Sequence, residues 1–582
     1  MISSFWPSSY RNRLLFCLLL VSALGSRVYK LDAYGLFVDE KFTLLTSIGV
    51  CVGGANQRDI FFDKTYFTPQ EFWREKSYAD FEESTARSDI GAHLPYNYVL
   101  YAWRSVFGSS DASLRFLSVL FGLAMMVMLY ALLYQLFQSE TIGLIAMGLA
   151  LFEPLFLALN HLARSYSMSL FLCVWSSYLF LKLMEDRETA WRYLVYVLVT
   201  STAVLTHFLN GMVLLIHGIY VLIYLRPWVR WWRISVAAGL ITLSLVAWLT
   251  VGGGQYTFQF LADKNELMLQ IVQSNPEESP MGEALSRSTL KNVYRQYSGV
   301  LFDSFVTSNH LVYVLHGLKN AAIVVFLSIL TWASLFFGNR WKYQSVGILI
   351  VHGLGYAFLT HSHLHYAVFE VNLILLFWGV SGWSGYTAQE KKGFLWLSFF
   401  VVLPLSYLLF DAFKSGHTGN ITQRYGAYAL PFVAGWLSFL LFQIRRLPQV
   451  FQVIFFLVLL SQAYFVFQIH AAIYRDQSGK YSYFEQPRIP NPHRAVALKI
   501  QEVYQPGDTI VYPSFSGHVY ADYVEETERI TIDDAQYINA YLPQDAQYWQ
   551  RIDPKEPHRV ILRKPDGTER ILFDFQGRKY RY

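Results

Sequence analysis

Two adjacent carboxylates, Asp39 and Glu40, stand where the first apolar segment of the chain ends and a long polar loop begins. A carboxylate at such a boundary can act as a general base, because it accepts a proton from a hydroxyl group as that hydroxyl attacks a substrate. The alternative is a solvated entrance to the loop with no chemical role. The rest of the sequence has to decide between these two interpretations.

Arginine and histidine side chains occur at the ends of several other apolar segments. Arg164 and Arg424 carry the guanidinium fork that binds phosphate oxygens in pairs, although each also fits an arginine that reaches toward lipid headgroups. His207 also fits a structural histidine that is hydrogen-bonded to its neighbours. The alternating histidines of residues 361–365 have a spacing that a metal ion accepts, but packing at the membrane surface is the favoured interpretation.

The composition indicates an integral membrane protein. The 582 residues are 54% hydrophobic and only 15% charged, and their mean hydropathy is +0.28, whereas soluble domains carry roughly 25% charged residues. The aromatic fraction of 17% is typical of many helix ends at membrane interfaces. The net charge of +5 includes no basic block, so no nucleic-acid partner is indicated. The three cysteines have no spacing typical of a zinc site or a disulfide framework.

The apolar segments predict a polytopic α-helical membrane protein with about thirteen transmembrane helices, since one span needs about 20 apolar residues. Lys and Arg concentrate in alternate links, which places the N-terminus inside and, after an odd number of spans, the C-terminus outside. The first segment also has features of a cleavable signal peptide, but a first span is the favoured interpretation. The predicted spans are residues 13–30, 113–137, 141–159, 166–183, 191–207, 209–226, 234–251, 310–337, 343–360, 365–383, 393–410, 424–442 and 448–468.

Three segments are predicted to lie outside the membrane. Residues 31–112 form a first outer loop, with one interfacial helix at 93–107 and a second surface helix at 69–87. Residues 252–309 are predicted to form an outer mobile loop that acts as a lid. The composition changes near residue 471, so that residues 1–470 form the transmembrane domain and residues 471–582 a small α/β domain.

The predicted small domain contains one helix and at least three strands. Its helix covers 494–504 and its first strand 508–512. The turn signal Pro565-Asp566-Gly567-Thr568 separates two apolar runs, 559–564 and 570–575, and therefore predicts a β-hairpin.

The placement of the polar residues separates two classes of function. In the predicted topology they gather at the outer ends of the spans, whereas the span interiors are almost uncharged. Ion-coupled transporters usually place ionisable residues near the middle of the membrane, so the pattern favours an enzyme that acts at the outer surface on a lipid-linked substrate. A lipid-carrier transporter, a flippase or a binding scaffold is the alternative. Glu370 lies inside a span and needs a partner, for which a nearby histidine is the candidate.

Several short motifs resemble the GT-C superfamily of glycosyltransferases, and within it family 39, the branch of the protein O-mannosyltransferases and the lipid A aminoarabinose transferase. Asp39-Glu40 matches the acidic pair that follows the first span of the family. The other matching motifs are His93-Leu-Pro-Tyr96, Leu162-Ala-Arg164-Ser-Tyr166, Thr206-His207-Phe208 and Arg424-Tyr425 with Pro431. Leu162 stands where relatives often carry an acid, so the chain lacks a carboxylate at that position.

The resemblance implies a GT-C fold and an inverting transfer of a sugar from a polyprenyl-phosphate carrier. The acceptor is a lipid, glycan or protein on the outer face of the membrane. Asp39 is then the general base, and Glu40 is the second choice for that role or a residue that orients Asp39. The implied donor phosphate ligands are Arg164, Arg424, His207 and Tyr166, and the implied substrate contacts are His93, Tyr96, His161 and Tyr425.

No cofactor follows from the resemblance, and participation of a divalent metal stays open. Its weak ligand candidates, besides the acidic pair, are Asp89, His361, His363 and His365. The style of the sequence favours a bacterial plasma (inner) membrane, with the chemistry on the periplasmic side.

Overall fold

The computed structural model is mostly helical, with one small sheet near the C-terminus. It describes residues 6–88, 91–185, 189–225, 228–274, 285–311, 318–337, 346–347, 350–351, 353–354, 357, 363–446, 449–478, 480–481, 487–514, 531–577 and 579–582. The helices up to residue 250 are α1 (Tyr10–Val28), α2 (Val38–Thr46), α3 (Arg58–Phe61), α4 (Pro69–Phe72), α5 (Tyr78–Ser88), α6 (Leu94–Phe107), α7 (Asp111–Phe137), α8 (Glu140–Phe152), α9 (Pro154–Asn160), α10 (Tyr166–Leu183), α11 (Ala190–Thr206), α12 (Gly211–Tyr224) and α13 (Trp228–Thr250).

The later helices follow two outer segments and end in the small domain. They are α14 (Tyr256–Ser274), α15 (Leu290–Asp303), α16 (Leu318–Phe337), α17 (His363–Ser381), α18 (Ala388–Ser415), α19 (Gln423–Gly426), α20 (Leu430–Gln443), α21 (Gln449–Tyr474), α22 (Pro492–Val503) and α23 (Asp533–Asn539). Several helices begin at a Ser or Thr whose hydroxyl accepts a backbone N–H of the first turn, as Ser110, Thr189 and Thr387 do.

Six helices of the described chain are long and apolar enough to cross a membrane, and a bent pair makes a seventh candidate. They include α7, α10, α13 and α18. Others, such as α11, are apolar but shorter. The predicted polytopic helical architecture is therefore present, whereas the number of thirteen spans is not confirmed. Most of the predicted span 343–360 lies outside the described residues.

The bent pair is α8 and α9, whose axes differ by 66°. Pro154 is the first residue of α9, where its missing N–H costs no helical hydrogen bond. The Glu153 side chain accepts the N–H of Leu155 and so caps the new helix. The break turns the chain before residues 161–165, which connect α9 to α10 and carry Arg164.

The membrane core is built around α7, which packs against α8 and α10. Close approach depends on small residues: Gly122 of α7 lies against the side-chain amide of Asn160, at the end of α9. That amide accepts a hydrogen bond from Arg27 Nε (2.7 Å) and donates one to Ser167 Oγ (2.8 Å). The ends of α1, α9 and α10 are thereby tied together.

The outer segments are more regular than the sequence predicts. The interfacial helix at 93–107 is present as α6, and the surface helix at 69–87 is divided into α4 and α5. The segment 252–309, predicted as a loop, contains two helices, α14 and α15. The helical periodicity of residues 256–274, with its apolar stripe, outweighs the Gly252–Gly254 turn that precedes it.

The C-terminal segment forms a four-stranded sheet with the order β2-β1-β3-β4. Its strands are β1 (Thr509–Pro513), β2 (Trp549–Asp553), β3 (Arg559–Arg563) and β4 (Glu569–Asp574). Strands β3 and β4 form the predicted hairpin, β1 and β2 are parallel, and α22 covers the predicted helix. The α/β prediction is confirmed for these elements.

The sheet and the first outer loop share one hydrophobic core. Phe67 forms a bridge with Gln550 of β2, with both backbone N–H···O distances at 3.0 Å, and its ring stacks on Tyr512. Trp73 donates its indole N–H to the carbonyls of Asn539 and Leu542. The C-terminal domain therefore lies on the same side of the helical bundle as Asp39.

Candidate functional site

Asp39 lies at the start of α2 and contacts both predicted phosphate-binding arginines. Its Oδ2 accepts a hydrogen bond from Arg424 Nη1 at 2.9 Å, and its backbone carbonyl accepts one from Arg164 Nη1 at 3.1 Å. The side chains of Asp39 and Arg424 are 27% and 23% exposed. The structure therefore brings together residues that are 385 positions apart in the sequence.

Glu40 is in a different environment, although it follows Asp39 directly. Its carboxylate is fully buried and receives Nε and Nη2 of Arg115 at 2.8 and 2.9 Å. It also accepts the N–H of Ala163 at 2.8 Å. Burial acts to raise the pKa of Glu40, but the charge and hydrogen bonds of Arg115, followed by the charge of Arg488, hold that pKa below its usual range. Glu40 is thus an ionised structural anchor.

The anchor fixes the two backbone segments that carry the site. Arg115 also donates to the carbonyls of Leu31, Tyr34 and Gly35, which lead into α2. Through Ala163, the same carboxylate holds the turn that contains Arg164. Sequence reasoning missed Arg115 as part of the site, and the available signal was a charged residue near the start of an apolar segment, which needs a partner.

Arg164 is buried and is oriented from two sides. Its Nη1 donates to Thr43 Oγ1 at 2.7 Å, and its Nη2 lies 3.5 Å from His93 Nε2. His93 Nδ1 donates to the Thr206 carbonyl at 3.0 Å, and this nitrogen also contacts the Ser165 hydroxyl. With the proton on Nδ1, Nε2 is the acceptor that faces Arg164. His93 therefore helps to orient the Arg164 guanidinium through its Nε2 atom.

His207 links this cluster to the aromatic residues of the neighbouring helices. Its ring lies 5.5 Å from that of His93, 6.0 Å from that of Tyr166 and 4.9 Å from that of Tyr428. Tyr166 and Tyr428 are both buried. Tyr96, predicted as a substrate contact, is fully buried within the core that α6 shares with the outer loop.

A cavity of about 770 Å³ opens beside this cluster and is bordered by His207 and Tyr425. Its walls come from the start of α12, from α14 and from the end of α18, and most of them are apolar. Leu215 and Leu261, which line the cavity, are 56% and 43% exposed. Lys264, Lys414 and Asp411 add two positive charges and one negative charge to the lining.

His161 lies apart from this cavity, in a small cleft with Arg115, Tyr474 and Arg488. Burial, followed by the charges of Arg115 and Arg27, lowers the pKa of His161 to about 3, so its imidazole is neutral. The structure does not bring His161 into contact with Asp39 or Arg424. Arg488, which sequence reasoning also missed, ion-pairs with Asp476 at 2.9 Å and contributes charge near Glu40.

The predicted metal ligands do not form a cluster in the described part of the chain. Among those residues, no group of three His, Cys, Asp or Glu side chains is arranged to hold a metal ion. Asp89 and His361 lie outside the described residues, as does the side chain of His363. His365 stacks on Phe465 at 4.3 Å. Glu370 accepts a hydrogen bond from Thr331 at 3.1 Å, while the side chains of His361 and His363, two of its candidate partners, lie outside the described residues.

Residues 94–251 match the family model of the dolichyl-phosphate-mannose-protein mannosyltransferases. This part of the chain is therefore similar to a family of the GT-C glycosyltransferases. The matched segment runs from α6 through α13 and contains Arg164, Tyr166 and His207. It supports a membrane glycosyltransferase-type enzyme and confirms the resemblance seen in the motifs. No curated protein matches the chain.

Solved structures of two membrane transferases are similar to this chain at low identity. ArnT from Cupriavidus metallidurans in the apo state is 14% identical, with a TM-score of 0.40, over 90% of this chain and 84% of that one. The Archaeoglobus fulgidus oligosaccharyltransferase in the apo form is 13% identical, with a TM-score of 0.41, over 86% of this chain and 59% of that one. Structural similarity at this level supports no conclusion about the site.

Proposed function

We propose that this protein is a GT-C glycosyltransferase that transfers a sugar from a polyprenyl-phosphate carrier to an acceptor hydroxyl or phosphate at the outer face of the membrane. The observation that carries the proposal is the meeting of Asp39 with Arg424 and Arg164. One carboxylate and two guanidinium groups lie together beside a large apolar cavity. This set supplies a base for the acceptor and cations for a phosphate leaving group.

The reaction is a single displacement in which the protein supplies a proton acceptor and positive charge. The Asp39 carboxylate accepts the proton of the acceptor O–H as that oxygen forms its bond to the anomeric carbon. The bond between the anomeric carbon and the phosphate oxygen breaks, and its electron pair stays on the polyprenyl phosphate. Arg424 and Arg164 stabilise the negative charge that develops there. One displacement inverts the anomeric configuration.

The cavity bordered by His207 and Tyr425 is assigned to the lipid carrier. Its apolar walls suit isoprenyl units, and the exposure of Leu215 and Leu261 offers a passage toward the surrounding lipid. Tyr425 directly follows Arg424, so the end of the cavity adjoins the proposed phosphate position. No step is assigned to a metal ion, and transfer measured with and without EDTA tests whether a divalent ion takes part.

The proposed orientation is supported by two observations. The C-terminal domain packs on the loop that carries Asp39, so the proposal places both on one side of the membrane. The alternation of Lys and Arg in the links favours the outer side, which in the proposal is the periplasmic side of a bacterial inner membrane.

The deciding experiment is Asp39→Asn in membranes supplied with a radiolabelled polyprenyl-phosphate hexose or pentose and native lipid or protein extract. We expect transfer to fall by at least about a hundredfold, in the range of general-base contributions. Asp32→Asn is the matched control, since it makes the same change at an exposed residue of the same loop. Transfer that persists in Asp39→Asn would favour the alternative of a carrier transporter or scaffold.

A further inference from the structure

The proposed base and the proposed phosphate ligand are bound to each other. Asp39 Oδ2 and Arg424 Nη1 are 2.9 Å apart, so the carboxylate that should accept a proton is engaged by the guanidinium that should receive the phosphate. Arg424 cannot serve both partners through the same N–H group at once. The arrangement therefore describes a resting site, in which neither residue is in position for the transfer.

Resting on the proposed function, we infer that the Asp39–Arg424 ion pair is a latch that the phosphate of the polyprenyl carrier opens. A phosphate presents several charged oxygens to the guanidinium fork and competes with a single carboxylate oxygen. When Arg424 turns to the phosphate, Asp39 is released to face the acceptor. Carrier binding thus precedes base activation.

The ion pairs Asp39–Arg424 and Glu40–Arg115 at α2 differ in solvent exposure. The more exposed pair can exchange partners, whereas the buried pair is fixed. Asp39 and Arg424 are each about a quarter exposed, so water can solvate both groups while their partners change. Glu40 and Arg115 are 0% and 3% exposed, and breaking that pair would leave two buried charges. Only the first pair can act as a latch.

The backbone around Asp39 is held by contacts that do not involve its carboxylate. The Asp39 carbonyl accepts hydrogen bonds from Arg164 Nη1 and from Thr43 Oγ1, both at 3.1 Å. Release of the carboxylate therefore needs rotation of one side chain rather than movement of α2. Arg424 lies on the single turn of α19, next to the cavity that is assigned to the carrier.

The test is the affinity of the purified full-length protein for a short-chain polyprenyl monophosphate, measured in detergent without an acceptor. A latch opposes phosphate binding, so Asp39→Asn should bind the probe about three- to fivefold more tightly than the wild type. Unchanged or weaker binding by Asp39→Asn would overturn the latch. Asp39→Ala repeats the measurement, and thermal unfolding shows that each variant is folded.

A double-mutant cycle separates the latch from simple charge repulsion. Arg424→Gln should weaken probe binding, and Asp39→Asn should have no further effect in that background, because the competing pair no longer exists. A gain of equal size in both backgrounds would mean that Asp39 only repels the phosphate, which overturns the latch. A wild type that does not bind the probe would overturn the proposed donor class instead.

Discussion

At the scale of single residues, two neighbouring carboxylates are assigned different roles. Asp39 is the proposed base, and Glu40 is the structural anchor. The types and positions of Asp39 and Glu40 are nearly equivalent in the sequence, and only the resemblance to a family ranked Asp39 first as the base and Glu40 second. The difference comes from Arg115 and Arg424, which reach the pair from distant parts of the chain. We therefore expect a substitution of Asp39 to reduce transfer and a substitution of Glu40 to reduce stability.

Glu40→Gln should reduce stability. It leaves the Arg115 guanidinium buried without its counter-charge, and breaking a buried pair costs about 3–5 kcal/mol. We expect a clearly lower melting temperature in detergent for Glu40→Gln and a nearly unchanged one for Asp39→Asn. Equal melting temperatures for Glu40→Gln and the wild type would contradict the anchor.

The same anchor predicts how stability depends on pH. The pKa of Glu40 in the folded protein lies below its value of about 4.3 in an unfolded chain. The stabilisation by its charge is therefore complete above about pH 4.3 and is lost as the pH falls through the folded-state pKa. The difference in melting temperature between wild type and Glu40→Gln should be constant near neutral pH and shrink on acidification. A difference that grows toward acid would contradict the assignment.

At the scale of elements, the site depends on how the helix ends approach one another. The sequence predicted the apolar segments, the interfacial helix and the terminal hairpin from local periodicity. It could not predict the 66° break between α8 and α9 or the contact of Gly122 with Asn160, because these depend on packing between elements. The turn that carries Arg164 begins directly after that contact.

Gly122→Ala tests this contact. The added methyl group would collide with the Asn160 amide, which is buried and bonded to Arg27 and Ser167 and cannot move at low cost. We expect destabilisation of about 1–3 kcal/mol, as for other overpacked positions, together with reduced transfer. Gly148→Ala in α8 is the control, because its methyl group would meet no atom within 4 Å. Equal melting temperatures for the two variants would refute the argument.

At the scale of the whole molecule, the C-terminal domain and the first outer loop share one hydrophobic core, so we expect them to unfold together. The sequence predicted the strands of a separate domain, since changes in composition mark boundaries along the chain. It could not show that residues such as Phe67 and Phe72 are buried in the same core as Val496 and Ile510, since this pairing joins distant segments.

Phe67→Ala should therefore loosen both segments. Removing a fully buried phenylalanine ring costs about 3–5 kcal/mol. Hydrogen exchange should speed up in the sheet and also in the outer loop around α2. Tyr66→Ala, at a position that is 46% exposed, is the matched control. Faster exchange in only one segment would show that the two fold independently.

The shared core has a consequence for how the protein is made. Gln536 bonds the backbone of Cys51 and Gly53 across as many as 485 residues, so the outer loop lacks these partners until Gln536 has been synthesised. The helices that precede residue 471 can insert into the membrane earlier, before the loop that holds Asp39 has these contacts. A chain that stops before the sheet is therefore expected to contain the bundle without a fully supported Asp39 loop, so that packing of the C-terminal domain is a late step in forming the site.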